Sequence, residues 1–205
     1  MRTLVIETAT AACSVALIES GTVIARAHEV VGRGHAERLI PMIAGLPDGG
    51  CAAHILVDCG PGSFTGVRVG IAAARGLALG WGGTVSGYSS LPLIAAAALH
   101  ARPAADIAVI MEGGHGEVFM QAFAADLSPH ADLASLKPDA ALAALGDLPA
   151  VGNGVRWLAA LDASLDLTEA LPDAADAILL PAALAALPAR PIYGRAPDAK
   201  PQAPR

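Results

Sequence analysis

Leu56-Val57-Asp58-Cys59-Gly60-Pro61-Gly62-Ser63-Phe64-Thr65-Gly66-Val67-Arg68-Val69-Gly70 is the stretch of the 205-residue chain that most directly indicates its fold. An apolar run ends at an acid, a glycine-rich turn follows, and a segment dense in small residues continues. A buried strand, a tight turn and a helix in this order are typical of α/β proteins with parallel strands, because a parallel connection needs a crossover helix. We therefore predict a strand at 54–58 and a helix up to about Gly80.

Both halves of the chain start with short β-rich runs and then alternate helix with strand. In the first half this pattern predicts three strands, at 3–8, 12–18 and 22–28, and then a helix at 35–46. Pro41 lies inside this helix and should either kink it or mark a later start. After Arg102-Pro103 the pattern repeats, with a hairpin turn over 112–116 and helices at 138–145 and 174–187. The repeat predicts two related α/β domains with mixed sheets, at 1–100 and 101–187, followed by an irregular tail at 188–205.

The composition limits the classes of function. Hydrophobic residues make up 54% of the chain and charged residues 16%, which is typical of a packed globular core. The formal net charge of −6 argues against autonomous binding to nucleic acid, which needs a basic face. Three cysteines do not pair evenly and no apolar run could cross a bilayer, so we expect a cytoplasmic protein without a membrane segment.

The glycine-rich turn has two interpretations. Backbone N–H groups at a helix start can face an anion, and the residues for such an anion or nucleotide turn would be Gly60, Gly62, Ser63, Thr65, Gly66 and Arg68. The other interpretation is a tight turn with close packing, which also needs glycine. The turn is not a Walker A loop, because no lysine follows the last glycine at the required place.

The helix after the turn repeats small residues four positions apart, at Gly66 and Gly70 and again at Gly76 and Gly80. Glycine inside a helix costs about 1 kcal/mol relative to alanine, so a close approach by another element is expected. That element is either the sheet of the same chain or a helix of another chain, and the two can apply to different faces.

Three acids, Glu7, Asp58 and Glu112, fall at or near predicted strand ends. Such carboxylates could hold Mg²⁺ through water or could cap turns, and we favour the capping interpretation. Cys59 precedes a helix start, where a thiolate could be stabilised, but no base for it can be identified, and we assign no catalytic residue.

Five stretches resemble the bacterial TsaB family, also called YeaZ. They are the N-terminal hairpin Leu4–Leu17, the helix His35–Met42, the motif Gly-Pro-Gly-Ser-Phe-Thr-Gly-x-Arg at 60–68, and two weaker matches at Gly116–Phe119 and Pro191–Arg195. The resemblance covers essentially the whole chain and is strongest up to about residue 98.

The resemblance implies an actin/Hsp70/sugar-kinase-like fold and a role in making N6-threonylcarbamoyladenosine at position 37 of tRNAs that read A-starting codons. It implies a scaffold or activating subunit that is not itself catalytic. Its expected partners are the catalytic subunit TsaD and the ATPase TsaE, with tRNA reached only through the complex and a homodimer formed by the chain alone. No cofactor is expected in the isolated chain, and a nucleotide at the interface with the partner is an open alternative.

The partner interface implied by this resemblance uses two helices, with contacts from His35, Arg38, Leu39, Met42, Ile43, Val67, Gly70, Ile71 and Ala74. The sequence departs from the family in having Glu7 where an Asp is usual and Glu112-Gly113-Gly114-His115 at the second hairpin turn. The segment Tyr88–Leu93 also lacks the His-x-x-x-His pair that holds the metal in TsaD. An ATP-binding or ATP-hydrolysing enzyme of the same fold is the alternative function, and a metalloprotease ranks last because its zinc ligands are missing.

Overall fold

The structure, a computed structural model, describes residues 1–103 and 106–195. Its first sheet has five strands, namely β1 (Arg2–Glu7), β2 (Ala12–Glu19), β3 (Thr22–Val30), β4 (His54–Asp58) and β5 (Thr84–Tyr88). Their order across the sheet is β3-β2-β1-β4-β5. The first three run antiparallel, whereas β4 is parallel to β1 and β5 is parallel to β4. The predicted meander and the parallel position of the strand at 54–58 are both confirmed.

Helices cover both faces of this sheet. They are α1 (His35–Ala44), α2 (Phe64–Trp81) and α3 (Ser90–Ala101). Leu4 and Ile6 of β1 pack in a core cluster with α1 and α2, while Val5 packs in a cluster with α3. Because successive side chains of a strand point to opposite faces, α1 and α2 lie on one side of the sheet and α3 on the other.

The second sheet repeats this topology. Its strands and helices are β6 (Asp106–Gly114), β7 (Glu117–Ala124), β8 (Ala134–Leu136), α4 (Pro138–Leu145), β9 (Ala150–Val151), α5 (Val155–Ala159) and β10 (Leu167–Thr168). The order β8-β7-β6-β9-β10 matches the first sheet strand for strand, with the same pattern of antiparallel and parallel pairs. This is the predicted fold of two related α/β domains, of the actin/Hsp70/sugar-kinase type. The two-residue strand β10 had no clear sequence signal.

Helix α3 lies between the two sheets. Its side chains, such as Leu91 and Ile94, share one buried cluster with Val5 of the first sheet and with Val109 and Met111 of the second. The two halves therefore share a core. The domain boundary predicted between residues 100 and 101 falls at the end of this shared helix, and the boundaries stay a prediction.

The predicted helix at 174–187 is wrong. The chain forms two short 3-10 helices there, Ala174–Leu179 and Ala182–Ala185. Leu180 between them is extended, with φ −74° and ψ 131°, because the residue before a proline is pushed out of the helical region. Pro181 thus ends one segment and starts the next, and the alanine-rich composition does not override it.

Two other details differ from the sequence-based expectation. Strand β6 continues to Gly114, so the second hairpin turn is only His115-Gly116, both with positive φ, rather than the predicted 112–116. Such two-residue turns match the twist of a hairpin. Helix α1 starts at His35 and continues through Pro41. Pro41 has no N–H to donate to the Glu37 carbonyl group, but Glu37 lies on the exposed side of the helix, so the helix tolerates the proline.

After the second sheet, the chain returns to the first one. Leu187 and Gly87 exchange two backbone hydrogen bonds, and the Ile192 N–H donates to the Cys59 carbonyl at 2.7 Å. Within the predicted irregular tail, 188–195 forms no helix or strand, and 196–205 lies outside the described residues. The return places Tyr193 beside the start of α2.

The glycines of α2 face two different environments. A Cβ at Gly66 would lie 2.1 Å from the Thr8 carbonyl oxygen, and one at Gly70 would lie 2.4 Å from Thr8 Oγ1. A Cβ at Gly76 or Gly80 would meet no atom of the described residues within 4 Å. The first pair is therefore explained by packing on the sheet of the same chain, and the second pair lies on an open face.

We predict opposite effects of alanine at these two kinds of position. Gly76→Ala should raise the free energy of unfolding by about 0.5–1 kcal/mol, because alanine has the better helix propensity and the space is open. Gly70→Ala should lower it by about 1–3 kcal/mol, because the new methyl group overlaps Thr8. Urea unfolding of both variants measures this, and equal effects would contradict the close contact at Gly70.

Candidate functional site

The glycine-rich turn links β4 to α2 and is held by contacts inside the chain. The Ser63 hydroxyl caps α2 by accepting from the Gly66 N–H at 3.2 Å. The Ser63 N–H donates to the Ala9 carbonyl at 2.6 Å, and the Gly60 N–H donates to Asp58 Oδ2 at 3.0 Å. Three backbone donors of the predicted anion turn thus already have protein acceptors. The packing interpretation explains the glycines, and binding of an anion or nucleotide by the turn stays a prediction.

A pair of buried carboxyl groups lies behind the turn. Glu7 Oε1 accepts from the Ala9 N–H at 2.8 Å, and Oε2 accepts from the Tyr88 hydroxyl at 3.1 Å. Asp58 accepts from the Gly60 N–H and, through Oδ1, from the Ser90 hydroxyl at 2.8 Å. Each carboxylate therefore binds a backbone N–H two residues further on, which confirms the turn-capping interpretation for Glu7 and Asp58.

Burial controls the protonation of this pair. Removal from water raises the pKa of the Asp58 carboxyl group to about 7, although hydrogen bonds from Ser90 and Gly60 oppose the rise. Burial, followed by the nearby charge of Asp58, raises the pKa of Glu7 well above its ordinary value. The Cys59 thiol is buried too, and its pKa rises to about 12, which disfavours the thiolate that a nucleophile would need.

Glu112 lies elsewhere, on the wall of a cleft of about 420 Å³ between the two halves. Its carboxylate accepts from Arg156 and, at 3.3 Å, from Trp157 Nε1, while its own N–H donates to Asn153 Oδ1 at 3.1 Å. It therefore does not join Glu7 and Asp58 in one site. The sequence does not indicate these three partners of Glu112, because they lie 41 to 45 residues further along the chain, in and just after a glycine turn.

The nine residues predicted to contact a partner lie on α1 and α2, and eight of them are buried in the core under these helices: His35, Leu39, Met42, Ile43, Val67, Gly70, Ile71 and Ala74. Only Arg38 is exposed, where it pairs with Glu29. The buried eight position the helices on the sheet. Their assignment as partner contacts stays a prediction. Because they are buried, their effect on a partner would be indirect, through the position of α1 and α2.

The outward side of the same two helices is open and mostly uncharged. It carries Ala36, Ile40 and Ala44 on α1 and Ala72, Gly76, Leu79 and Gly80 on α2, and we call these seven residues the open helix face. Ile40 is 49% exposed and Leu79 is 87% exposed. Exposed apolar residues next to glycines that have no neighbour provide a surface that another helix can approach closely.

Two further observations concern membranes and metals. Among the described residues, no helix is both long enough and apolar enough to span a membrane. Within 1–103 and 106–195, no three His, Cys, Asp or Glu side chains are grouped as metal ligands would be.

Curated relatives share the sequence over part of their length. A protein of Escherichia coli K12 named "tRNA threonylcarbamoyladenosine biosynthesis protein TsaB" is 40% identical over 135 residues, covering 62% of this chain and 56% of that protein. The protein of the same name from Haemophilus influenzae is 36% identical over 121 residues, covering 57% and 51%. The chain thus spans about half the length of the curated relatives it matches.

Solved structures match more completely. YeaZ from Pseudomonas aeruginosa superposes with a TM-score of 0.77 at 28% identity, covering 94% of this chain and 99% of that one. An uncharacterized protein described as similar to peptidase YeaZ from Pseudomonas aeruginosa gives a TM-score of 0.79 at 29% identity, covering 95% and 99%.

A family model described as "TsaD: tRNA N6-adenosine threonylcarbamoyltransferase" matches residues 27–143, more than half of the chain. The chain belongs to this family, in its TsaB/YeaZ branch. In this TsaB/YeaZ chain the matched region runs from β3 to α4 and includes α1, α2 and the glycine-rich turn.

Replacing Glu7 by glutamine should stabilise the protein increasingly as the pH rises. A glutamine can accept from the Ala9 N–H and donate to the Tyr88 hydroxyl, which is 3.2 Å from the Ile6 carbonyl oxygen and can donate there instead. Because the folded state raises the pKa of Glu7, the unfolded chain releases this proton above about pH 4 while the folded chain still holds it. The free energy of unfolding of the wild type therefore falls by up to about 1.4 kcal/mol per pH unit until the pH passes the folded-state pKa.

The measurement is urea unfolding of wild type and Glu7→Gln between pH 5 and pH 8. The difference in unfolding free energy should grow in favour of the variant over this range. Glu37→Gln, on the exposed side of α1, is the matched control and should change stability by less than about 0.5 kcal/mol throughout. A pH-independent difference for Glu7→Gln would contradict a raised pKa.

Proposed function

We propose that this chain is a non-catalytic scaffold or activating subunit in the synthesis of N6-threonylcarbamoyladenosine at position 37 of tRNAs that read A-starting codons. It binds the catalytic subunit TsaD through the open helix face, and the ATPase TsaE joins the complex. The tRNA is contacted through the assembly, since the chain itself carries a net charge of −6. The names of the curated relatives support the pathway, and the chemistry of the open helix face supports the mode of action.

The open glycines carry this proposal. Gly76 and Gly80 each weaken α2 by about 1 kcal/mol relative to alanine, and no neighbouring atom in the described part of the chain requires them. Leu79 beside them adds an exposed aliphatic side chain. A partner helix that packs on α1 and α2 could approach the backbone of α2 closely at Gly76 and Gly80, and it would cover the exposed apolar side chains. When TsaD is absent, a second copy of the chain can use the same face, which gives a homodimer.

Loss of the chain in a cell should remove the modified nucleoside. Depletion followed by mass analysis of nucleosides from total tRNA should show a severalfold fall in N6-threonylcarbamoyladenosine, and wild-type protein should restore it. An unchanged level after depletion would contradict a role in this pathway.

Charged substitutions on the open helix face should prevent capture of TsaD. Gly76→Arg places a long cation in the open space, and Ile40→Glu places a carboxylate on the α1 side. Each should reduce capture at least about tenfold, because a buried unpaired charge costs several kcal/mol. The same variants should shift the isolated chain from dimer to monomer in light scattering.

The matched control is Leu161→Glu, because Leu161 is 46% exposed in the second half of the chain and Ile40 is 49% exposed. It should leave capture and dimerisation unchanged. Full capture of TsaD by both Gly76→Arg and Ile40→Glu would show that the interface lies elsewhere.

An ATP-binding enzyme of the same fold is the second candidate, and the observation that favours it is the pair of buried acids, Glu7 and Asp58, behind the glycine-rich turn. Calorimetry with ATP and Mg²⁺ on the isolated chain separates the two. Tight binding with turnover would make this chain an enzyme, whereas the scaffold proposal expects no turnover. A nucleotide that binds only when TsaD is present would fit a site shared between the two proteins.

A further inference from the structure

A recess of about 650 Å³ opens where three distant parts of the chain meet. Its walls come from the start of α2, the hairpin between β6 and β7, and the returning segment 192–195. Its volume lies within the range of small-molecule sites, roughly 300–1,000 Å³. It is distinct from the open glycines at the other end of α2, and it does not depend on the function proposed above.

Arg68 is held in this recess by two aromatic residues. Its guanidinium carbon lies 3.3 Å from the centroid of the Phe64 ring and 5.4 Å from that of Tyr193, both within cation–π range. Nη1 donates to the Phe64 carbonyl at 2.7 Å, and Nη2 donates to the Tyr193 hydroxyl at 2.5 Å. The side chain is therefore ordered before any ligand arrives, which lowers the entropy cost of binding.

Most of the hydrogen-bonding capacity of Arg68 is unused. A guanidinium has five N–H donors, and only two of those of Arg68 have acceptors among the described residues. No carboxylate in the described part of the chain forms an ion pair with it. Glu112, the acid on the recess wall among the described residues, is engaged by Arg156 and Trp157. A planar fork with three available donors is suited to a carboxylate or a phosphate.

The rest of the recess is largely apolar. Phe64 is 68% exposed and Tyr193 is 59% exposed, and Phe119 and Ile192 add to the lining. Two exposed rings beside an ordered cation offer stacking area next to the anion-binding fork.

We propose that this recess binds a small ligand in which an aromatic group is joined to a carboxylate or a phosphate. The anionic group is held by the unused N–H donors of Arg68, and the ring stacks against Tyr193 and Phe64. The two anionic groups are alternatives for the same fork, and separate probes distinguish them.

The test uses the isolated full-length chain and six small probes in calorimetry or ligand-observed NMR. Phenyl phosphate and phenylacetate carry both features, phenol and benzyl alcohol carry only the ring, and inorganic phosphate and acetate carry only the anion. At least one of the first two should bind about tenfold or more tightly than the matching single-feature probes. The one that binds identifies the anionic group.

Variants locate the binding. Arg68→Gln should weaken the bound probe at least about tenfold, because it removes a charge-assisted hydrogen bond. Arg75→Gln is the matched control on the same helix, since Arg75 donates to the Ala189 carbonyl outside the recess, and it should leave affinity unchanged. If Arg68→Gln lowers the melting temperature, Arg68→Lys keeps a cation without the planar fork and should still weaken binding severalfold.

Three results would overturn the proposal: no binding of either two-feature probe, equal binding of the single-feature probes, or binding that persists in both Arg68 variants. The outcome is independent of capture of TsaD, which is tested at Gly76 and Ile40. Loss of capture with normal probe binding, or the reverse, therefore shows which of the two proposals fails.

Discussion

The close contact between α2 and the end of β1 is the constraint on which the rest of the structure depends. Gly66 and Gly70 let the helix approach Thr8 so closely that no side chain fits between them, and the Thr8 hydroxyl donates to the Gly66 carbonyl at 2.8 Å. Because α2 is fixed in this way, the glycine-rich turn before it contacts Ala9, where the Ser63 N–H donates to the Ala9 carbonyl. Asp58 and Glu7 are buried behind this turn. The helix can then present its other side, with Gly76 and Gly80, to the outside.

The glycines of α2 therefore have two different roles, although they look alike in the sequence. The sheet requires the first pair of glycines, and no contact among residues 1–103 and 106–195 requires the second pair. The buried acids follow the same logic: Glu7 and Asp58 cap turns at neighbouring strand ends, and burial raises the pKa of both carboxyl groups. Their position behind a packed turn, with Tyr88 and Ser90 as hydrogen-bond partners, gives them a structural role within the chain.

Local patterns in the sequence predict most of the fold but only part of the site. Alternating and continuous apolar runs predicted the strands of the first sheet correctly, and the repeated order of elements predicted the second sheet except for its short strand β10. The helix expected at 174–187 is wrong because one proline, Pro181, outweighs a favourable composition. The residues predicted as partner contacts on α1 and α2 are, except for Arg38, buried against the sheet of the same chain, because a hydrophobic period indicates burial and does not say which surface covers it. The contact between Arg68 and Tyr193 joins residues 125 positions apart, and no local signal could predict it.

The central claim is that the outward side of α1 and α2 is the surface a partner covers. Hydrogen–deuterium exchange of the full chain, with and without TsaD, tests it most directly. The account predicts that added TsaD slows exchange in peptides from 35–44 and 64–81, while peptides from α4 and α5 stay unchanged. Unchanged exchange in α1 and α2, together with protection in the second half of the chain, would contradict it.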